Sequence, residues 1–574
     1  MSLVKISFRQ SVLIVFLALI FAIAAHAQES KLGRVEFPTS GTGKAQAHFL
    51  RGLAALHSFW FEEALDEFQE STRIDPDFMM GYWGEAMAYN HPLWSEQDTE
   101  AGRKTIARIK ENAKVTPREQ AYLNAVKLLY GEGDKLARDK AYSAAMEKLY
   151  RAYPDDQEAA CFYALSLLGT VRPEEPGFLR QMRAGAIAFE VYQKNPNHPG
   201  AAHYIIHSFD DPEHAILALP AARRYAEIAP EAAHARHMPA HIFLQLGMWP
   251  EAAASNESAW AVSDAWVKRK NLSVSLRDYH SLHWLLYVYL QQGRYSKAEE
   301  LLALMQKTMA ESTSDNKLRP NYYANNFANM AAAFVLETER WDLAAKLFPP
   351  DAGSGERPGQ EPAAMEHAGH GAAAKPSGAS AMTVRSSNVA QTLPIFVRTV
   401  ATTMKNPAEA EKGLAEIQTA RKEQSGSQSP AYSRMQKVTE IRGLEMAALA
   451  SASKGSFDEA IEMMKKATAL EESMSPPSGP PILIKPSHEL FGEILLRANR
   501  PKEAAQQFAS SLLRQPNRAR SLLGAARAAA QGGDAKTAAE IYSTLLRQWQ
   551  QADAQLAELR EAQDYLKQAN ARQR

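Results

Sequence analysis

"AHFLRGLAALHSFWFEEALDEFQESTRIDPDF", residues 47–78, carries the fold of the chain in four positions. Gly52, Ala64, Phe68 and Pro76 follow one another at intervals of 12, 4 and 8. A small residue lets two helices approach closely, an Ala and an aromatic on the second helix fill the contact, and a Pro ends that helix. "PSHELFGEILLRANRPKEAAQQFASSLLRQPNRARSLLGAARAA", residues 486–529, repeats the pattern with Gly492, Ala504, Phe508 and Pro516 at the same intervals. Further units carry fewer landmarks. Gly247, Trp249 and Ala252 recur 46 residues on as Gly293, Tyr295 and Ala298, then as Trp341 and Ala344 with Glu339 in the glycine place. Gly455, Phe457, Ala460 and Ala467 mark another unit, as do Gly533, Ala538 and Tyr542. Alternating β-branched runs bounded by turns are not found. The expected fold class is therefore all-α, helical hairpins stacked into a solenoid because one hairpin cannot bury its own apolar face.

Histidine recurs in the same register. His57 to His91, His203 to His237 and His207 to His241 each differ by 34, and His280 with His283 repeats His234 with His237 after 46. Nine of the 16 histidines fall between His198 and His283, which directs attention to that stretch. Residues three or four apart on a helix share a face, so His203 with His207 and His237 with His241 are candidate ligand pairs. Neighbouring helices pack about 8 to 10 Å apart, close enough for their imidazoles to converge. A site rich in imidazole and poor in thiolate favours a transition metal, here zinc, copper or iron, over magnesium or calcium. Asp210, Asp211, Glu213 and Asp278 can orient the rings or add an oxygen ligand.

The quoted segments, with "AHARHMPAHIFLQLGMWPEAA" at 233–253, resemble tetratricopeptide-repeat proteins, in particular a large group of exported bacterial ones, over nearly all of the mature chain. The resemblance implies that the second, fifth and ninth places of a unit's first helix face a concave groove. A unit starting at Ala233 puts His234, His237 and His241 there, and one starting at Tyr279 puts His280, His283 and Tyr287 there. The preceding unit offers Gly200, His203 and His207, and the following one Asn326 and Asn329. His203, His207, His234, His237, His241, His280 and His283 are thus the expected metal set. Cys161 takes the fifth place of an earlier unit, in line with His203, although a lone buried thiol is the commoner fate. His57 and His91 sit at the thirteenth place and are weaker groove candidates. His48 and His488, at a packing place, are expected to be structural. Trp249, Trp260, Trp266 and Trp284 are expected to pack between helices.

The two ends and the composition bound the setting. Lys5 and Arg9 precede an apolar run from Ser11 to Ala24 and then Ala25-His26-Ala27, which reads as a cleavable secretory signal cut after Ala27. A secreted or periplasmic protein without a membrane anchor is expected. Removing Lys5 and Arg9 leaves 63 basic against 65 acidic residues, a net charge of −2, which recruits no nucleic acid. The single Cys161 excludes an internal disulfide framework. Residues 349–387 turn to Gly, Pro, Ala and Ser and read as a disordered linker or loop, with Met365–His370 as a weak copper-capturing motif. The organisation expected is a signal at 1–27, a tetratricopeptide solenoid with the histidine-rich groove at 28–348, that linker, and a second solenoid at 388–574.

Catalytic motifs fail on inspection. "SGTGKA" at 40–45 has Pro38 where a phosphate loop needs its first glycine, and His488-Glu489 begins a zinc motif that ends on Gly492. No nucleophile elbow or dinucleotide fingerprint occurs. The leading expectation is an exported scaffold that binds a ligand, protein or peptide in its groove and a transition metal through the central histidines. A metal-free peptide scaffold using the same histidines with Asn326, Asn329 and Arg236 is the alternative. A metal-dependent enzyme, with Tyr287, Asp278 or Asp210 as acid or base, is the third reading.

Overall fold

The computed structural model describes residues 31–111, 114–172, 177–311, 322–349, 387–423 and 430–573. Over them the chain runs as successive antiparallel helical hairpins. The only sheet among the described residues is a two-residue antiparallel ladder, with Asn90 opposite Gln97 and His91 opposite Glu96. The expected signal segment, nearly all of the 349–387 stretch and Met365–His370 lie outside the described residues. No helix among those described is long and apolar enough to cross a membrane.

The first hairpin shows why the sequence spacing builds a repeat. Helix Gly43–His57 meets Phe61–Ile74 at Gly52, where an added Cβ would lie 3.0 Å from the buried Phe68 ring. Helix Met79–Ala88 presses Gly84 on the same ring, where a Cβ would come within 2.3 Å. Phe508 stands likewise between Gly492 and Gly524, at 2.7 and 2.3 Å. Each repeated interval is thus an aromatic wedge between two helices that approach it only where a side chain is missing. Helix starts are held by polar caps: Asp134 and Asp156 accept first-turn N–H groups, and Thr116 with Glu119 forms a capping box.

The N-terminal superhelix curls until its beginning meets its middle. Arg34 N–H donates to the Asn197 carbonyl at 2.9 Å, and Asn195 Nδ2 donates to the Arg34 carbonyl at 3.0 Å. Arg51 pairs with Glu231 at 3.4 Å, Lys270 with Glu63 at 2.9 Å, and Trp60 stands edge-on to Trp266. The first hairpin therefore covers helices Pro199–Ser208 and Ala233–His237. This corrects the expectation of an open concave groove at the histidines: His57, His203 and His237 are fully buried and His241 is 1% exposed. The small rotation from one unit to the next accumulates until the hollow is filled by the chain's own side chains.

The C-terminal hairpins pack against the other flank of the same centre. Trp249 Nε1 donates to the Asn517 carbonyl at 2.9 Å, and the Ala519 N–H donates to Gln291 Oε1 at 3.0 Å. The Pro-rich break before Ser487 lies between, with Gln245 Nε2 donating to the Pro477 carbonyl at 2.9 Å. Gly479 touches Trp284 so closely that a Cβ would fall 2.4 Å from its ring.

Candidate metal centre

Three short helices and one long one position the central rings. Pro199–Ser208 starts on Pro199, whose missing N–H is harmless in a first turn, and carries His203 and His207 one turn apart. Ala233–His237 ends at Met238 and Pro239–Gln245 restarts from it. Pro239 has no N–H to continue the ladder, so His234 and His237 sit on one piece and His241 on the next. Tyr279–Gln291 contributes His280. The ligand nitrogens of His203, His207 and His234 lie within 4.8 Å of one another, and those of His237, His241 and His280 do the same. Six of the seven expected ligands thus gather into two triads.

Hydrogen bonds fix which nitrogen faces inward for His203, His237 and His241. His203 Nδ1 lies 2.7 Å from the His57 carbonyl, an acceptor, so Nδ1 carries the proton and Nε2 the lone pair. His241 Nδ1 donates to Asp210 Oδ2 at 2.6 Å, and Gln245 Nε2 donates to Oδ1 of that carboxylate at 3.1 Å. Asn256 donates through Nδ2 to the Ala252 carbonyl at 2.9 Å, which turns its Oδ1 toward His237 Nδ1 at 2.7 Å. His237 and His241 therefore both spend Nδ1 as a donor, while their Nε2 atoms face each other at 3.1 Å. His203 Nε2 faces His234 Nε2 at the same distance of 3.1 Å.

The surroundings keep His203 and His234 neutral. Burial pulls His203 down to about 3. Burial, then the neighbouring His203 and His237 rings, pulls His234 well below its ordinary value. Aromatic side chains clad both triads. Phe59 is edge-on to His203 at 4.4 Å between ring centres and stacks on His234 at 5.5 Å; Trp284 lies 4.2 Å from His241 and 4.8 Å from His237. Phe59 has φ 51°, where the corresponding hairpin turns carry Gly247 at 63° and Gly293 at 68°. A residue with a Cβ gives up about 1 to 2 kcal/mol there. The ring over the histidines is the visible return for that strain.

Other sequence candidates are placed elsewhere. His57 joins a third group, with Nε2 2.6 Å from Glu158 Oε2, while His198 Nε2 lies 3.1 Å from Glu158 Oε1. The Ala201 N–H donates to His198 Nδ1 and the Tyr204 hydroxyl donates to His57 Nδ1, so both Nε2 atoms are donors to the carboxylate. Burial pushes Glu158 up, but His198 and His57 outweigh it and hold the carboxyl below its usual range. That group is internally complete. Cys161 is buried 3.8 Å from His198 Nδ1, not beside His203, and burial raises its thiol.

His91 stacks on Phe61 at 3.9 Å and is in neither triad. His283 is half-buried, outside the triads, and burial lowers it to about 4. Asp278 caps its own helix by accepting the Ser281 N–H at 3.0 Å, and Asp211 caps the turn at His214. Tyr287 accepts from Arg518 Nη1 at 3.1 Å, in a separate ionic cluster. Asn326 and Asn329 are half-buried on Tyr322–Thr338, where Asn329 donates to the Asn325 carbonyl. His48 binds Glu67 and His488 binds Gln507, both structural as expected. Sequence reading missed Asn256, Phe59, Glu158 and the capping role of His198. Only Phe59 left a signal, a large aromatic in the place other units give to glycine.

The class these features define is a tetratricopeptide-type helical solenoid with a buried polyhistidine interior. No protein-family profile and no curated protein matches the sequence. Solved structures with partial likeness include the human IFIT1 dimer with m7Gppp-AAAA, at 13% identity, with 89% of this chain and 91% of that one covered and a TM-score of 0.31. Yeast Tom70 is 11% identical, with 92% and 89% covered and a TM-score of 0.28. The P58(IPK) TPR domain is 14% identical, with 72% and 99% covered and a TM-score of 0.19.

Proposed function

We propose that this chain is an exported helical-repeat scaffold whose interior binds transition-metal ion through histidines 203, 207, 234, 237, 241 and 280. The observation that carries the reading is the His237–His241 pair. Both Nδ1 atoms donate to fixed acceptors, and both Nε2 atoms converge at 3.1 Å. A cation placed between them would take both Nε2 atoms as ligands. Tetrahedral bonds of about 2.0 to 2.1 Å place two ligand nitrogens about 3.3 Å apart, close to the spacing found. Asp210 behind His241 matches the carboxylate–histidine arrangement that fixes the tautomer and strengthens the ligand. Zinc and copper suit such a set best, with iron as the third candidate.

Export is part of the same proposal and rests on the basic, apolar, small-residue order of residues 5–27. A protein or peptide partner of the scaffold would use its outer or remaining concave faces, since the first hairpin occupies the space over His203 and His234. The test is elemental analysis of the mature protein beside a His237→Ala, His241→Ala variant, with helicity checked by circular dichroism. Stoichiometric zinc or copper, diminished in a helical variant, supports the reading. A wild-type protein that takes up neither metal at neutral pH after supplementation overturns it.

A further inference from the structure

The geometry points to a metal site duplicated by the repeat: two ions, one per unit, filled in a fixed order. The inference rests on the metal reading above and concerns how many ions bind and how they relate. Each triad is assembled by the same rule. One unit supplies a pair four residues apart, His203 with His207 on one helix or His237 with His241 across the Pro239 break, and the next unit supplies the second residue of its first helix, His234 or His280. The first pair maps on the second by the 34-residue step that relates the units themselves. In each triad one contact is a facing pair of Nε2 atoms at 3.1 Å.

The step between the copies is short because the inner side of a tightly curled superhelix is compressed. The equivalent rings of His207 and His241 have centres 6.0 Å apart, and His234 and His237, which border the two sites, are 6.1 Å apart. Two ions would therefore be separated by a distance of that order, within range of magnetic interaction. Three nitrogen ligands leave each ion at least one position for a small exchangeable ligand.

The copies differ in what stands behind them. His241 is backed by the Asp210 carboxylate, whereas His203 is backed by a neutral backbone carbonyl, that of His57. A carboxylate makes its imidazole the stronger donor, and such support changes metal affinity by about 10- to 100-fold. The 237/241/280 triad fills first.

Copper(II) titration of the metal-free mature protein, followed by calorimetry and electron paramagnetic resonance, tests this. Two equivalents are expected, the first about 10- to 100-fold tighter, with the isolated-ion spectrum of the first broadening as the second binds. A His203→Ala, His207→Ala variant should stop at one tight equivalent, and a His237→Ala, His241→Ala variant at one weak equivalent. Asp210→Asn should bring the two affinities together, which a variant that merely misfolds would not do. A wild-type endpoint of one ion, or two ions with no spectral interaction, overturns the duplication while leaving metal binding intact. No copper uptake at all overturns the metal reading itself.

Discussion

Two buried polar centres of this molecule solve the same problem in opposite ways. At the junction with the C-terminal hairpins Arg518 is 1% exposed, yet its Nε donates to Glu489 Oε2 at 2.7 Å and its Nη2 to Glu489 Oε1 at 3.1 Å. Glu337, the Tyr287 hydroxyl and the Ile484 carbonyl take its other N–H groups. Burial pushes Glu489 up, but Arg518 and Lys485 outweigh it and hold the carboxyl below its usual range. Every group there meets its complement within the chain. The histidine centre is equally crowded but less uniformly buried, with His207 and His280 half-buried, and its rings meet nitrogen to nitrogen. A cluster of paired opposite charges reads as architecture; under the function proposed above, one that gathers imidazole nitrogens is a receptor for a cation.

The contrast can be broken or sharpened by experiment. The largest effect expected is on pH stability of the metal-free protein. His203 titrates near 3 when folded against 6.5 in the unfolded chain, so between those values the unfolded state binds the extra proton. Stability is full above pH 6.5 and falls as pH drops toward 3, by on the order of 5 kcal/mol for a fully buried group. Urea unfolding across this range should show the fall, and His203→Gln should flatten it; a pH-independent wild type would refute the neutral-ring picture. Next, Arg518→Ala strands two buried carboxylates and should cost about 3 to 5 kcal/mol in the same assay, with the metal affinity of the folded protein unaltered. Metal affinity falling in step with stability would erase the distinction between the centres.

Asp210→Asn removes the charge behind His241 and should weaken metal binding about 10- to 100-fold in chelator competition, about 1.4 to 2.7 kcal/mol, with little loss of fold. The smallest change belongs to Tyr287→Phe. It takes one of several partners from Arg518 and should cost about 0.5 to 1.5 kcal/mol, leaving metal content at the wild-type level. A loss of metal would move Tyr287 from the ionic cluster into the site.

Local chemistry is legible in this sequence, and long-range closure is not. The Gly52–Phe68 and Gly492–Phe508 intervals name actual helix contacts, and the 34-residue step from His203 and His207 to His237 and His241 describes rings that stand side by side. These are consequences of helical periodicity, which sequence displays directly. Whether the hollow is open depends on a rotation per unit too small to be read from any single unit. For that reason the groove was expected open, Tyr287 was placed among groove residues although it meets Arg518, and Cys161 was aligned with His203 although it lies by His198. Asn256 shows the same limit, since nothing in its own helix marks it as the residue that turns His237.

The bond from His203 to the His57 carbonyl spans 146 positions of chain. Solenoids ordinarily assemble neighbour by neighbour, paying little loop-closure entropy at each step. Here the ring-shaped closure must come last, after the intervening hairpins have stacked, which raises contact order and slows this one event. A chain emerging N-terminus first thus holds its first hairpin uncovered until the helices at 199–237 have stacked against it.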